Sequence, residues 1–341
     1  VSVPRLRGAL ARLAPFRRAL TWRWLLAPAL IAAVPAHAGT VALTFDDLPV
    51  FGPYKTAEGQ RITTKLLAGI RRHHWRAIGF VNEIQLDGPD RTQRIALLRQ
   101  WLDDGFDLGN HSYSHFSLNH TPVNAYIADV AKGEIVTKEL LAARGRTERW
   151  YRYPYLETGL TLKVRHQFES WLVGHGYRVA PVTMENSDWE FAEPYADALA
   201  HGRTAQAAHI RRAYLAFTAR IVPWYQKAAQ QLLGRQPAFV FLLHASRLNA
   251  DSIDQLAAIL RANHLRSVTL DEAMKDPAYR IPDTYAGPDG DEWLTRWSMT
   301  LHKDLPYASL PEVPADVAAL DEALENAPPP ASRAPAPAKG G

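Results

Sequence analysis

The chain has 341 residues, 47% of them apolar and 22% charged, with 24 prolines, 10 tryptophans, no cysteine and a formal net charge of +4. Apolar content on that scale can bury a substantial core, which excludes a wholly disordered chain. The missing cysteine excludes disulfides, thiolate metal sites and a cysteine nucleophile, so any metal must be drawn from the 13 histidines and 35 acidic residues.

The positive charge is concentrated at the N-terminus. Residues 1–38 carry six arginines (Arg5, Arg7, Arg12, Arg17, Arg18, Arg23) and no acid, then an apolar run over 24–34 and Pro35-Ala36-His37-Ala38. Basic region, short apolar region and small-x-small cleavage site read as a secretory signal peptide cut after Ala38. The alternatives are a basic amphipathic helix or an uncleaved anchor, but the apolar run is shorter than the roughly 20 residues that span a bilayer. Arg17-Arg18 matches a twin-arginine signal poorly. Without the leader, 33 basic residues face 35 acidic ones, a formal charge of −2, which argues against nucleic acid as a partner. Export and no stable membrane insertion after cleavage are the expectations.

From residue 41 onward, short β-rich runs alternate with helical patterns. Strands are expected over 41–45, 77–81, 106–109, 149–151, 177–182, 238–243 and 267–270. Helices are expected over 59–74, 91–104, 123–143, 162–175, 195–233 with a break near Pro223, and 252–263. Repeated strand–helix alternation implies a parallel sheet, open or closed into a barrel, with its chemistry at the C-terminal ends of strands. The polar residues follow that rule: Asp46-Asp47 directly follow the first strand, His111 follows the third, Arg152 the fourth, and His244 ends the sixth. Beyond Met274 the pattern weakens into a Pro, Gly and aromatic segment, and 326–341 is a Pro/Ala-rich tail expected to be disordered. The resulting division is signal peptide 1–38, catalytic domain 39–275, C-terminal extension 276–325 and tail 326–341.

His111-Ser112-Tyr113-Ser114-His115 puts two imidazoles four apart, on one face if the segment opens a helix, and near enough to share a zinc ion. Alone such a pair is a common coincidence, better read as capping or surface histidines. Asp46-Asp47 alone reads as a turn or helix cap. Together they form a His, His, Asp set with a second carboxylate to spare, and such a set leaves positions open for water and substrate, as a catalytic metal requires.

The chain resembles the polysaccharide deacetylases, the family with the NodB homology domain, also called carbohydrate esterase family four. Five short motifs appear in the family's order over about residues 41–270: Thr44 to Asp47, His111 to His115, Arg152-Tyr153-Pro154-Tyr155, Asp188-Trp189 and Leu242-Leu243-His244. The resemblance implies a distorted, seven-stranded (β/α)-barrel. It implies that Asp46 is the catalytic base, that Asp47, His111 and His115 bind a divalent metal (zinc, or cobalt or nickel), and that His244 is the general acid. It also implies that Arg152 orients the base and that the Tyr155 backbone N–H helps hold the oxyanion. Asp188 is suited to hold the His244 ring and raise its pKa, and Trp189 and Tyr155 to contact substrate.

Two positions depart from the family pattern: Leu48 stands where glycine is usual, and Ala245 where aspartate is frequent. Neither removes a proposed catalytic group, though both bear on substrate preference. Trp189, Trp224, Trp293 and Trp297 are candidates for stacking on sugar rings, against the alternative that they pack helices onto the barrel. The expected partner is an acetylated glycan and the expected reaction hydrolysis of its N-acetyl groups. An O-acetyl esterase of xylan type and a non-catalytic glycan-binding protein are the competing readings.

Overall fold

Seven strands, every pairing parallel, build a curled sheet in the computed structural model, which describes residues 39–326. The leader expected over 1–38 and the tail beyond Asn326 lie outside the described residues. The strands are β1 (Gly39–Leu48), β2 (Ala77–Val81), β3 (Asp107–Asn110), β4 (Trp150–Tyr151), β5 (Arg178–Val179), β6 (Phe239–His244) and β7 (Leu265–Val268). Their order is β5-β4-β3-β2-β1-β6, and β7 pairs with the first residues of β1 on the edge that β2 occupies further along. Beyond β5 the chain crosses to the free edge of β6, where Met184 bridges Phe241 and curls the sheet into a distorted barrel.

The helices are α1 (Thr56–Arg72), α2 (Arg91–Asp103), α3 (Val123–Lys132), α4 (Ile135–Ala142), α5 (Leu162–Gly174), α6 (Asp188–Ala200), α7 (Thr204–Leu233), α8 (Arg247–Ala262), α9 (Leu270–Ala273), α10 (Trp293–Leu301) and α11 (Ala315–Glu325). Alternation along β1 sorts its side chains. Val41, Leu43 and Phe45 join the large apolar cluster that includes α1, α7 and α8, whereas Ala42 joins a smaller one with Phe80, Trp150 and Val240. A strand repeats every two residues, so Thr44 and Asp46 continue the Ala42 face and bring polar groups into the barrel mouth.

Three expectations change, two for helices and one for a strand. The single helix over 123–143 is two, α3 and α4, separated at Gly133. The break expected near Pro223 falls instead at 201–203, and α7 runs through Pro223 unbroken. A mid-helix proline costs about 3 kcal/mol. The buried face of α7, with Ile210, Tyr214, Phe217, Ile221, Val222, Trp224 and Tyr225, outweighs that cost. The fifth strand shrinks to two residues because the chain after it leaves for β6.

The segment after Met274 supplies two helices that sequence periodicity did not show. It belongs to the same compact unit as the barrel. Arg296, fully buried on α10, donates to the Leu156 carbonyl at 2.6 Å, Thr158 Oγ1 at 2.8 Å and the Asp291 carbonyl at 2.7 Å. Among the described residues no helix is long and apolar enough to cross a membrane.

Candidate metal centre and active site

Asp47, next to last in β1, has φ of 60°, a left-handed departure from strand geometry, and its carboxylate lies with that of Asp46 beside His111 Nε2. His111 follows β3 directly. The 111–115 segment is a loop and not the opening of a helix, because Ser112 (φ 66°) and His115 (φ 57°) are both left-handed. Side chains hold this shape. Asn110 Oδ1 accepts from the Ser112 amide at 2.7 Å, Ser112 Oγ from the His115 amide at 2.9 Å, and Asp129 Oδ2 from the Tyr113 and Ser114 amides at 3.2 and 2.9 Å. Gly133 lies against the loop so closely that a Cβ there would stand 2.4 Å from Ser112 C and Tyr113 N. That contact explains why the helical pattern over 123–143 is interrupted.

His111 Nδ1 lies 2.9 Å from the Arg152 carbonyl and donates to it, which leaves Nε2 as the acceptor nitrogen. His111 Nε2 is 3.7 Å and His115 Nε2 3.5 Å from Asp47 Oδ1. Three ligand atoms of these residues lie within 4.8 Å of one another. For metal–ligand bonds of about 2.1 Å at tetrahedral angles, ligand atoms sit about 3.4 Å apart. The Asp47, His111 and His115 donors fit a small divalent cation on spacing and on chemistry. Burial pulls His111 down to about 3, with His115 adding to the effect, so its imidazole is neutral and available as a ligand. Burial pushes Asp47 up, but His115, His111 and His244 outweigh it and hold the carboxyl below its ordinary value.

Asp46 is buried beside this cluster, its Oδ2 3.9 Å from His111 Nε2. The Arg152 guanidinium reaches it from the far wall of the barrel. Nη1 donates to Asp46 Oδ2 at 3.2 Å, Nη2 to Thr44 Oγ1 at 3.1 Å and Nε to the Ala180 carbonyl at 2.9 Å, with the group 4.8 Å from the Phe80 ring centre. Asp46 Oδ1 is buried with no hydrogen-bond partner among the described residues. Burial lifts the Asp46 carboxyl to about 6 against the pull of Arg152 and His244.

His244, at the end of β6, points Nε2 to within 3.9 Å of Asp47 Oδ2. Its Nδ1 lies 2.7 Å from Asp188 Oδ1, and its backbone N–H donates to Asp188 Oδ2 at 2.7 Å. Burial lowers the imidazole, but Asp188, with Asp47 and Asp46 adding to it, outweighs burial and raises it to about 9. Asn249, from the first turn of α8, also donates to Asp188 Oδ2. Asn249, like Asp129 and Asn110, was not singled out from sequence. Asn249 and Asp129 act through contacts distant in sequence and Asn110 through the Ser112 amide two residues on, and no local motif marks them.

Tyr155 is exposed, has φ of 57°, and stacks edge-on against His115 with ring centres 4.4 Å apart. Trp189 is 40% exposed, whereas Trp224, Trp293 and Trp297 are buried at 5%, 7% and 0%. Those three pack the helical layer and present no face to a sugar, which removes them as stacking candidates. The C-terminal segment reaches the Tyr155 loop as well. Asn119 Nδ2 donates to the Pro288 carbonyl at 2.9 Å, and a Cβ on Gly290 would fall 1.8 Å from the Tyr155 carbonyl oxygen.

A parallel barrel whose strand ends gather two carboxylates, three histidines and a buried arginine defines a candidate metal-binding site of Asp-His-His type. Residues 33–169 match the family model described as "Polysaccharide deacetylase", and the chain is similar to that family over this stretch. It is 26% identical over 157 residues to a peptidoglycan-N-acetylglucosamine deacetylase of Bacillus cereus, covering 46% of this chain and 48% of that protein. It is 26% identical over 156 residues to a chitin deacetylase of Colletotrichum lindemuthianum, covering 46% and 55%. The match therefore spans about half the length of these curated relatives. The solved structure of the Colletotrichum lindemuthianum chitin deacetylase superposes with a TM-score of 0.49 at 20% identity, over 70% of this chain and 88% of that one.

Proposed function

We propose that this protein is an exported, metal-dependent deacetylase that hydrolyses N-acetyl groups of an amino-sugar glycan, of peptidoglycan or chitin type. One observation carries the reading. The Asp47-His111-His115 cluster has a carboxylate with a perturbed pKa on the His111 side and a carboxylate-backed imidazole on the Asp47 side. Hydrolysis of an unactivated amide needs both a base for water and an acid for the departing amine.

In this reading Asp47, His111 and His115 hold the cation. When bound there, a divalent ion supplies Lewis acidity that polarises the acyl oxygen and acidifies water toward a pKa of about 7. Asp46, lifted to about 6 by burial and steadied by Arg152, is ionised at neutral pH and still basic enough to take a proton from that water. The oxygen adds to the acetyl carbon, and the Tyr155 backbone N–H helps hold the oxyanion. His244, kept protonated by Asp188, gives its Nε2 proton to the nitrogen as the C–N bond breaks, leaving acetate and a free amine. Trp189 and the Tyr155 ring offer apolar faces to the sugar. Zinc suits the nitrogen and oxygen donors, with cobalt or nickel as substitutes. Export rests on the composition of residues 1–38.

The test is acetate release from N-acetylated and O-acetylated glycans, with chelator and then with added Zn²⁺, Co²⁺ or Ni²⁺. N-acetyl turnover that disappears with chelator and returns with metal is expected. Preference for O-acetyl groups would make the protein an esterase, and glycan binding without turnover would make it a binding protein. Activity that survives rigorous metal removal would overturn the mechanism.

A further inference from the structure

Behind the His244–Asp188 pair lies a buried line of polar side chains that the reaction described above does not use. Asn249 Nδ2 bridges the pair, donating to Asp188 Oδ2 and, at 2.9 Å, to the His244 carbonyl. Its Oδ1 accepts from Tyr214 Oη at 2.6 Å. Tyr214 Oη in turn accepts from Asn186 Nδ2 at 3.0 Å, and Asn186 Nδ2 also reaches Thr218 Oγ1 at 3.0 Å. Asn249, Tyr214 and Asn186 are all fully buried. Tyr214 has one hydroxyl proton, and Asn249 Oδ1 is its acceptor, so the donors run one way, from Asn186 through Tyr214 to Asn249 and on to Asp188. This direction fixes which end of the Asn249 amide faces the carboxylate. The residue is itself held, because Ser246 Oγ accepts from its backbone amide at 3.2 Å.

Asp188 therefore receives three donors: the His244 ring, the His244 amide and the Asn249 amide. A carboxylate on one freely turning bond loses its aim unless both oxygens are tied. The Asn249 amide is the second donor on Oδ2, beside the His244 amide, and it also grips the His244 carbonyl, so it locks the carboxylate to the main chain of the residue whose ring Oδ1 must meet.

We infer that Asn249, oriented by Tyr214, is a positioning residue that aims Asp188 at the His244 ring, so that its effect falls on protonation of the leaving group. This rests on the deacetylase reading above. Its consequence is selective. An amine must be protonated as it departs, whereas an activated phenolate leaves without a proton.

The experiment compares kcat and KM of the full-length wild type and Asn249→Leu on an N-acetylated chito-oligosaccharide and on 4-nitrophenyl acetate. General acid catalysis contributes about 10²- to 10⁴-fold, and misaiming the acid forfeits part of that. Amide kcat is expected to fall about 30- to 300-fold with KM nearly unchanged, while the aryl acetate loses less than about threefold. The ratio of the two rates does not depend on the fraction of protein folded. Should the leucine variant not fold at all, Tyr214→Phe deletes one hydroxyl, keeps the amide and is expected to shift the same ratio by about three- to tenfold. Equal losses on both substrates, or an unchanged ratio in the foldable variant, would overturn the inference and leave the deacetylase reading standing. A wild type that releases no acetate from any N-acetylated glycan would overturn that reading and the inference with it.

Discussion

Ionised Asp46 weakens the folded protein, and Asp46→Asn is expected to relieve the strain while abolishing turnover. Burial raises the carboxyl from its ordinary 3.8 to about 6 even with Arg152 pulling the other way, and Oδ1 has no partner among the described residues. The folded state thus binds this proton more tightly than the unfolded chain does. The stabilising contribution is full below about pH 4 and is lost as pH rises through about 6. A displacement from 3.8 to about 6 corresponds to about 3 kcal/mol. Asparagine copies the shape of the neutral acid. In chelator, the variant should therefore match the wild type at pH 4 and exceed it by about 3 kcal/mol at pH 8. At about 2–3 °C per kcal/mol for a domain of this size, the expected gain in Tm at pH 8 is about 6–9 °C. Thermal melts of both proteins across that pH range provide the assay, and the difference between them isolates Asp46 from every other titrating group. Adding the divalent ion should shrink the gap, because a nearby cation favours the ionised acid. A variant no more stable than wild type at pH 8 would refute the reasoning and show that Arg152 stabilises the charge more than burial penalises it.

His115→Ala should lose both bound metal and turnover, whereas Asp46→Asn should retain metal and lose only turnover; metal content by elemental analysis beside acetate release separates the two. Gly133→Ala forces a methyl into main-chain atoms 2.4 Å away. Overpacking of this kind costs about 1–3 kcal/mol. The substitution should also weaken metal affinity, read by metal titration, because the atoms displaced belong to the histidine loop. Gly174→Ala, whose Cβ would meet nothing within 4 Å, is the control and is expected to leave both stability and metal affinity intact.

The alternation of strands and helices was legible because β1, β2 and β6 are short apolar runs with polar residues at their ends. The candidate site residues stood out for a related reason, since Asp46, His111, Arg152 and His244 lie at or next to the ends of strands. Long-range packing was not legible. Pro223 looked like a helix break because local propensity cannot register the apolar face buried along α7. The 111–115 segment is a loop, not the helix opening that would set both imidazoles on one helical face, because Asn110 and Asp129 satisfy its amides. Trp293 and Trp297 looked like sugar platforms because aromatic residues carry no sequence mark of burial, which here comes from the fold of the last fifty described residues.

The grip of Arg296 on the Leu156 carbonyl, from 140 positions downstream, bears on how the protein comes into being. All five motifs precede residue 245, so a growing chain holds every proposed reacting group long before the clamp on the Tyr155 loop has been synthesised. The later-made segment completes the wall of the cleft. A fragment cut at the end of motif homology would therefore keep the chemistry in its sequence and lose the brace that shapes it.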